Sequence, residues 1–176
     1  LIGLCGYFIS NPQVITKVVV SPPVIEYVNA YIPAYEILTV EDFKELDCVA
    51  KNIYHEARGD ILAGMYASAH SVVNRMADKR FPDTACDVVY QKRGKVAQYS
   101  WVNDGKSDAI KDVDAWAESL EVAYKVVFLG VEDITEGATY YHRNDGKTKF
   151  SKKHYANIVS VGDIGKHKFF RRKGRG

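Results

Sequence analysis

The sequence lacks three features that would place it in a special structural class. It contains no apolar run of about 20 residues, which excludes a complete membrane-spanning helix. It has three cysteines among 176 residues and no Cys-x-x-Cys pair, which excludes a zinc ribbon and a dense disulfide framework. It has no internal repeat, and its 47% hydrophobic and 26% charged residues are typical of one globular domain. Cys48 and Cys86 could pair under oxidising conditions or remain two buried thiols, and the pattern leaves both open.

The net charge is small, but basic residues are concentrated at the end of the chain. The formal net charge is +2, yet residues 141–176 carry eleven bases against two acids. We expect this basic end to contact an anionic polymer or an anionic membrane surface, unless residues 171–176 are simply a solvated tail. Nucleic acid is not an expected partner, because the excess charge is confined to the last fifth and no nucleic-acid-binding motif is present.

Proline divides the chain into two parts. Four of the five prolines precede residue 39: they are Pro12, Pro22, Pro23 and Pro33. Because prolines at this density interrupt regular structure, we predict that residues 1–38 form an arm or linker with a short strand near residues 18–20. The apolar residues 1–9 are expected to be the remnant of an export signal or anchor. Residues 39–176 are predicted to form the folded domain.

Helical patterns fill the first half of this domain. Thr39 and the acids after it are typical of a helix start, and apolar spacing predicts helices over residues 39–58, 62–79, 85–91 and 112–129. Residues 92–110 are predicted to be a functional loop. Strands are predicted at residues 139–142, 158–161 and 166–170, with a hairpin turn at residues 162–165. The order predicts an α+β fold, mainly helical with a small antiparallel β-sheet near the C-terminus.

Glu56 is the strongest candidate for a chemical role. At 100° per residue it lies on the flank of the apolar stripe of the first helix, beside Val49 and Ile53. Partial burial and the negative end of the helix dipole should both raise the pKa of its carboxyl. A carboxylic acid that stays protonated near neutral pH can act as a general acid. The alternative is a boundary residue paired with Arg58 or Arg75.

Short motifs in a fixed order connect Glu56 to a known family. They are YHEARG at 54–59, NR at 74–75, FP at 81–82, QYS at 98–100, GATYYH at 137–142 and IGKHKF at 164–169. In this order they resemble the catalytic domain of the SleB-like cell-wall hydrolases, which include spore-cortex-lytic enzymes and bacteriophage lysins. The resemblance covers roughly residues 45–171.

The resemblance implies a lysozyme-like fold, akin to goose-type lysozymes and lytic transglycosylases. It implies peptidoglycan as the substrate, cut between N-acetylmuramic acid and N-acetylglucosamine, and no cofactor. The catalytic Glu of the family falls on Glu56. The family often has Gly before this Glu, where the present chain has His55, and this departure could alter the hydrogen bonding of the acid. The basic stretch at 92–96 is a second local departure.

A single motif-placed carboxylate favours a lytic transglycosylase. Most glycosidases use two carboxylates about 5–9.5 Å apart, whereas Asp60, Asp87 and Asp104 lie near motifs without being singled out. A lytic transglycosylase needs one acid, which protonates the bridging oxygen and then acts as base while the 6-hydroxyl of the sugar closes on C1. A two-carboxylate muramidase is the alternative. A non-catalytic wall-binding module is another, although it would not need a half-buried acid.

Several side chains near these motifs are candidates for glycan binding, because sugars offer apolar faces and hydroxyl groups. The candidates are Gln98, Ser100, Trp101, Tyr140, Tyr141 and His142. The expected supporting residues are Arg58, Asn74 and Arg75. Arg75 would hold a loop carbonyl or Glu56 itself. Trp101 could instead anchor its loop, and strand alternation predicts that Tyr140 or Tyr141 points into the core.

Three histidines raise the possibility of a zinc amidase. His142, His154 and His167 are spread over a strand, a loop and a hairpin, and there is no His-Glu-x-x-His motif. We therefore predict no metal site.

The implied substrate sets the compartment. Peptidoglycan lies outside the cytoplasmic membrane, so we expect export to the periplasm or cell envelope of a bacterium, which is the host cell if the protein is phage-encoded. A phage lysin is the first expectation, because almost the whole chain is catalytic domain, and a host envelope enzyme is the alternative. We expect a monomer whose basic end contacts an anionic wall polymer or the membrane.

Overall fold

The computed structural model describes residues 16–21, 24–29, 38–147 and 155–174. The predictions for residues 1–9, for the four early prolines and for His154 lie outside these residues. The chain forms two compact units, residues 1–42 and residues 43–176.

The first unit contains an antiparallel hairpin. It consists of β1 (Thr16–Ser21) and β2 (Val24–Asn29), with Thr16 opposite Asn29 and Ser21 opposite Val24. The predicted strand at 18–20 therefore has a partner that the sequence analysis missed. The second strand is rich in β-branched and aromatic residues, which favour strands despite the prolines before them.

Helix α1 (Val40–Ala57) begins where the capping pattern predicts. The Thr39 hydroxyl accepts a hydrogen bond from the Asp42 backbone N–H at 3.1 Å, and the Asp42 carboxylate accepts one from the Thr39 N–H at 2.7 Å. These reciprocal bonds satisfy free donors of the first turn. The helix ends at Ala57, and Gly59 follows with a φ of 72°, a left-handed conformation that glycine adopts without strain.

Helix α2 (Leu62–Met76) is the centre of the second unit and packs against both α3 (Ala85–Val89) and α4 (Val113–Phe128). Its buried face is made of small residues such as Gly64, Ala67 and Ala69, which let its neighbours approach closely. Helices α2 and α3 are shorter than predicted, since α2 stops at Met76 and α3 at Val89. None of the helices in the described ranges has both the length and the hydropathy of a bilayer-crossing segment.

A disulfide between Cys48 and Cys86 joins α1 to α3. Of the two states that the sequence left open, the structure contains the paired one. The link spans 38 residues of chain, so it closes a loop that includes all of α2.

The predicted loop at 92–110 contains short regular elements. Strands β3 (Lys92–Arg93) and β4 (Val96–Ala97) form a small hairpin, and a 3₁₀ helix follows at Ser100–Asn103. The hairpin turns at Gly94, which has a φ of 62°. The remaining residues, 104–112, have no regular structure and lead into α4.

Strands β5 (Tyr140–Arg143), β6 (Ile158–Ile164) and β7 (His167–Arg172) form an antiparallel sheet in the order β5-β7-β6. Phe169 of β7 is fully buried against Ala67 of α2 and Ala138. The predicted hairpin between the last two strands is confirmed, but its turn is shorter than residues 162–165, because β6 continues to Ile164 and the chain turns at 165–166. Of the two glycines that suggested the turn, Gly165 lies in it, whereas Gly162 marks a register shift in β6.

Candidate active site

Glu56 lies in the last turn of α1 and is half-buried. The Tyr141 hydroxyl donates a hydrogen bond to its Oε2 at 3.4 Å. Burial raises the pKa of the Glu56 carboxyl above its ordinary value, while the Tyr141 hydrogen bond opposes this rise without cancelling it. The result is a carboxylic acid that holds its proton to higher pH than an exposed glutamate does.

Two cations, Arg75 and Arg143, oppose the rise in the pKa of Glu56 without cancelling it. Arg75 is 2% exposed; its Nε donates to the Thr139 carbonyl at 2.7 Å and its guanidinium lies 4.9 Å from the centre of the Tyr99 ring. Arg143 is at the exposed end of β5. Within the described part of the chain, no carboxylate is among the groups that shift the Glu56 pKa. Glu56 is therefore an acid influenced by cations and not by a second carboxylate.

Asn74 and Arg75 fix the start of β5. The Asn74 side-chain amide donates to the Asp133 carboxylate at 2.9 Å and to the Ala138 carbonyl at 3.2 Å. Arg75 holds the next carbonyl, that of Thr139, which is one of the two roles considered for it. Since β5 carries Tyr141, these bonds from α2 set the position of the Tyr141 hydroxyl relative to Glu56.

Tyr140 and His142 lie on the opposite sheet face from Tyr141, because side chains alternate along a strand. Tyr140 contacts Phe81, with ring centres 6.1 Å apart, and the His142 Nε2 is 3.1 Å from the Tyr155 hydroxyl. The sequence analysis named all three residues as candidates for glycan binding; Tyr141 is the one that hydrogen-bonds Glu56.

Trp101 is 6% exposed and anchors the 3₁₀ helix to α1. Its Nε1 donates to the Asn52 side chain at 3.3 Å, and its ring stacks on His55 with ring centres 4.4 Å apart. On either side of the buried Tyr99, Gln98 is half-buried and Ser100 is exposed. Tyr99 is thus the buried residue of this motif, and the sequence analysis did not select it.

Arg58 is exposed and packs on α1 itself. Its guanidinium lies 4.6 Å from the centre of the Tyr54 ring and 3.5 Å from the Tyr54 carbonyl. Arg58 does not pair with Glu56, which the sequence analysis considered. It contacts Tyr54 instead, one helical turn earlier in the chain.

A buried carboxylate, Asp60, ties α1 and α2 to the β6–β7 turn. Its Oδ2 accepts a hydrogen bond from the Lys166 backbone N–H at 2.9 Å and lies 3.7 Å from the His167 Nδ1. Gly64 and Gly165 lie so close that a Cβ on either would come within 3.0 Å of this carboxylate. We call this group the Asp60 clasp. The sequence signal for it was weak, because its two sides are 106 residues apart.

A cavity of about 360 Å³ adjoins the C-terminal half of α1, between that helix and residues 104–112. Glu56 is not among the residues that line it. The lining includes Tyr54, His55, Arg58, Trp101, Asp108 and Lys111. We call it the His55 cavity. Burial lowers the pKa of His55, against the opposing charge of Asp108.

Metal ligation finds no support in the described ranges, where no three His, Cys, Asp or Glu side chains are grouped closely enough to hold an ion. His142 and His167 lie on opposite faces of the sheet, because their positions on β5 and β7 differ by one residue in register.

The cell wall hydrolase profile matches residues 59–170 of this chain, beginning three residues after Glu56. A spore cortex-lytic enzyme of Halalkalibacterium halodurans is 30% identical over 104 residues, covering 59% of this chain and 28% of that protein. One of Oceanobacillus iheyensis is 27% identical over 106 residues, covering 59% of this chain and 34% of that protein. The chain thus spans about a third or less of the length of these curated relatives.

Two solved structures have the same fold. The catalytic domain of the Bacillus cereus SleB protein matches with a TM-score of 0.56 and 26% identity, covering 73% of this chain and 91% of that one. The catalytic domain of the germination-specific lytic transglycosylase SleB from Bacillus anthracis matches with a TM-score of 0.55 and 25% identity, covering 80% of this chain and all of that one. The predicted α+β class is confirmed.

Proposed function

This chain belongs to the cell wall hydrolase family, as its motifs predict, and on that premise we propose that residues 39–176 cleave peptidoglycan. The bond is the glycosidic link between N-acetylmuramic acid and N-acetylglucosamine. The observation that carries this proposal is the half-buried Glu56 carboxyl, which has a raised pKa and a hydrogen bond from Tyr141.

Glu56 acts as the general acid. A glycosidic bond breaks when its bridging oxygen receives a proton as the C1–O bond lengthens, so the acid must still be protonated at the working pH. Burial of Glu56 provides this condition. The Tyr141 hydroxyl orients the carboxyl, and Arg75 and Arg143 stabilise the carboxylate that remains after proton transfer.

The same carboxylate then acts as the base of a lytic transglycosylase. It takes the proton of the muramic 6-hydroxyl while O6 bonds to C1, which yields a 1,6-anhydromuramic end and returns Glu56 to its protonated form. No water is added. The other candidate acids support this reading: Asp60 is engaged in its clasp, and Asp104 accepts a hydrogen bond from the Lys106 N–H at 2.9 Å. A two-carboxylate muramidase remains the alternative mechanism.

We assign glycan contacts to Tyr141, which reaches Glu56, and to Gln98 and Ser100. The latter two flank Tyr99, whose ring centre lies 6.3 Å from that of Tyr141. Trp101, Tyr140 and His142 are assigned as supports, because their rings make the protein contacts described above. The partner is the peptidoglycan strand, in the periplasm or envelope of a bacterium, and the protein acts there as a monomer. A phage lysin is the first candidate origin, and a host envelope enzyme is the second.

The basic end of the domain would bring it to the wall. Lys168 and Arg172 share one face of β7, and Arg171 and Lys173 are exposed beside them. We propose that these charges contact anionic wall polymers or the membrane, with an attraction that weakens as salt screens it over about 8–10 Å.

Glu56→Gln tests the acid, because glutamine is nearly isosteric and cannot donate a carboxyl proton. We expect cleavage of purified cell walls to fall by about 10²-fold or more. Glu118→Gln, which changes an exposed glutamate of α4, is the matched control and should retain activity. A folded Glu56→Gln protein that clears walls at the wild-type rate contradicts the proposal.

Mass spectrometry of the wild-type products separates the two mechanisms. Transglycosylation gives muramic ends lighter by one water, about 18 Da, than the reducing ends of hydrolysis. Asp87→Asn and Asp104→Asn should each retain substantial activity if no second carboxylate is needed. Reducing ends as the main product, or an inactive Asp variant that is folded, would favour the muramidase.

A further inference from the structure

The His55 cavity has walls that are held in place before any ligand binds. The Tyr54 hydroxyl accepts hydrogen bonds from the backbone N–H groups of Lys111 at 3.1 Å and Asp112 at 3.0 Å. Across from this, the His55 ring stacks on the buried Trp101. These contacts join the end of the 104–112 segment, and the 3₁₀ helix before it, to α1. The volume of the His55 cavity, about 360 Å³, falls in the range of small-ligand sites, roughly 300–1,000 Å³.

Two opposite charges in this cavity have no ion-pair partner in the described part of the chain: the Asp108 carboxylate and the Lys111 ammonium. Three other charged residues of the lining are engaged elsewhere. The Asp104 carboxylate pairs with Lys106 at 3.3 Å, and Asp112 caps α4 by accepting from the Ala115 N–H at 3.0 Å. Arg58 is a second cation without an ion pair among the described residues, and it packs on the Tyr54 ring. The cavity therefore offers the Asp108 carboxylate and two cations, Lys111 and Arg58.

The lining also includes aromatic rings and a further polar atom. Tyr54 and Trp101 contribute rings, and the His55 Nε2 is buried without a hydrogen-bond partner within the described residues. A complementary ligand would carry an ammonium and a carboxylate separated by a short aliphatic chain, and a hydrogen-bonding group for His55.

We propose that the His55 cavity binds the peptide stem of peptidoglycan through its carboxylate and ammonium groups. This inference rests on the proposed function. The stem branches from the muramic acid residue at the cleaved bond, and Glu56 follows His55 directly in α1. Because consecutive residues of a helix lie only about 1.5 Å apart along its axis, a glycan held at Glu56 can place its stem against His55. Lys111 meets the stem carboxylate and Asp108 meets its ammonium.

Paired substrates test the stem contact. One is glycan with intact stems, and the other is the same glycan with stems removed by an amidase. Asp108→Asn and Lys111→Met should each raise KM for the intact glycan about threefold to tenfold, as expected for one partly exposed charged contact. KM for the stripped glycan and kcat for both substrates should stay within twofold.

Matched controls come from exposed charges outside the cavity. Glu118→Gln removes an exposed negative charge from α4, and Lys79→Met removes an exposed positive charge from the turn after α2. Both variants should leave both KM values unchanged. Activity on stripped glycan shows that each cavity variant is folded. Equal KM changes on both substrates, or no change on either, would overturn the stem assignment.

Calorimetric titration with a synthetic stem tetrapeptide, alanyl-glutamyl-lysyl-alanine, tests binding without cleavage. We expect binding to wild type and to Glu56→Gln alike, weakened by either cavity variant and lost when the lysine is acetylated and the carboxylates are amidated. Absence of binding would refute the stem site even if Glu56 proves catalytic. Conversely, an active Glu56→Gln enzyme would refute the proposed function while the titration still reports on the cavity.

Discussion

Removal of the Tyr141 hydroxyl should move the alkaline limb of activity to higher pH. The hydroxyl donates to Glu56 at 3.4 Å and lowers the pKa of that carboxyl, so Tyr141→Phe removes an interaction that favours the charged form. At this length the bond contributes about 0.5–1 kcal/mol, the lower part of the range for protein hydrogen bonds. Since one pKa unit corresponds to about 1.36 kcal/mol, the limb should rise by roughly 0.4–0.7 pH unit.

The direction follows from the proposed role of Glu56 as a general acid. In that role the protonated form is active, so kcat/KM falls as pH passes the pKa of the free enzyme, and a higher pKa extends activity upward. The assay is the pH profile of kcat/KM on soluble glycan. Tyr140→Phe is the control, because it removes a hydroxyl from the next residue on the opposite face of the same strand. A limb that stays in place, moves down, or moves equally in both variants would refute the assigned contact.

Three further predictions concern stability. Burial raises the pKa of Glu56 in the folded state, so the ionised carboxylate destabilises the fold at pH values above its pKa in the unfolded chain. Glu56→Gln should therefore be more stable than wild type in thermal unfolding at pH 7, and this difference should vanish near pH 4. Replacing Cys48 and Cys86 by serine opens a link across 38 residues, which should cost about 4 kcal/mol in urea unfolding; an unchanged midpoint would show that the thiols are not paired. Gly64→Ala should destabilise by about 1 kcal/mol or more, although alanine ordinarily stabilises a helix, because its Cβ would press on Asp60; a raised melting temperature would contradict the clasp.

Local features of this fold could be predicted from the sequence, because their causes are local. The Thr39–Asp42 cap and apolar spacing placed α1 to within a residue or two. The same helical spacing put Glu56 on the flank of the buried stripe, where the structure has it half-buried. A raised carboxyl pKa followed from that position alone.

Features that depend on distant residues could not be predicted. The Asp60 carboxylate meets the Lys166 N–H across 106 residues, and nothing near Asp60 in the chain indicates that contact. Alternation predicted that Tyr140 and Tyr141 face opposite ways, but only the packing of β5 on α2 decides which one reaches Glu56. The hairpin turn assigned to residues 162–165 began too early, because Gly162 can occur either in a turn or at a strand irregularity and its partner strand decides between them.

The proposed acid and the proposed stem site are held by different parts of this domain. Glu56, Arg75 and Tyr141 are held by two helices, a strand and the Asp60 clasp. The 92–112 segment instead joins the helices through a few tethers, chiefly the Tyr54 hydroxyl and the Trp101 indole. A change in the length or charge of that segment should therefore leave the contact between Tyr141 and Glu56 in place.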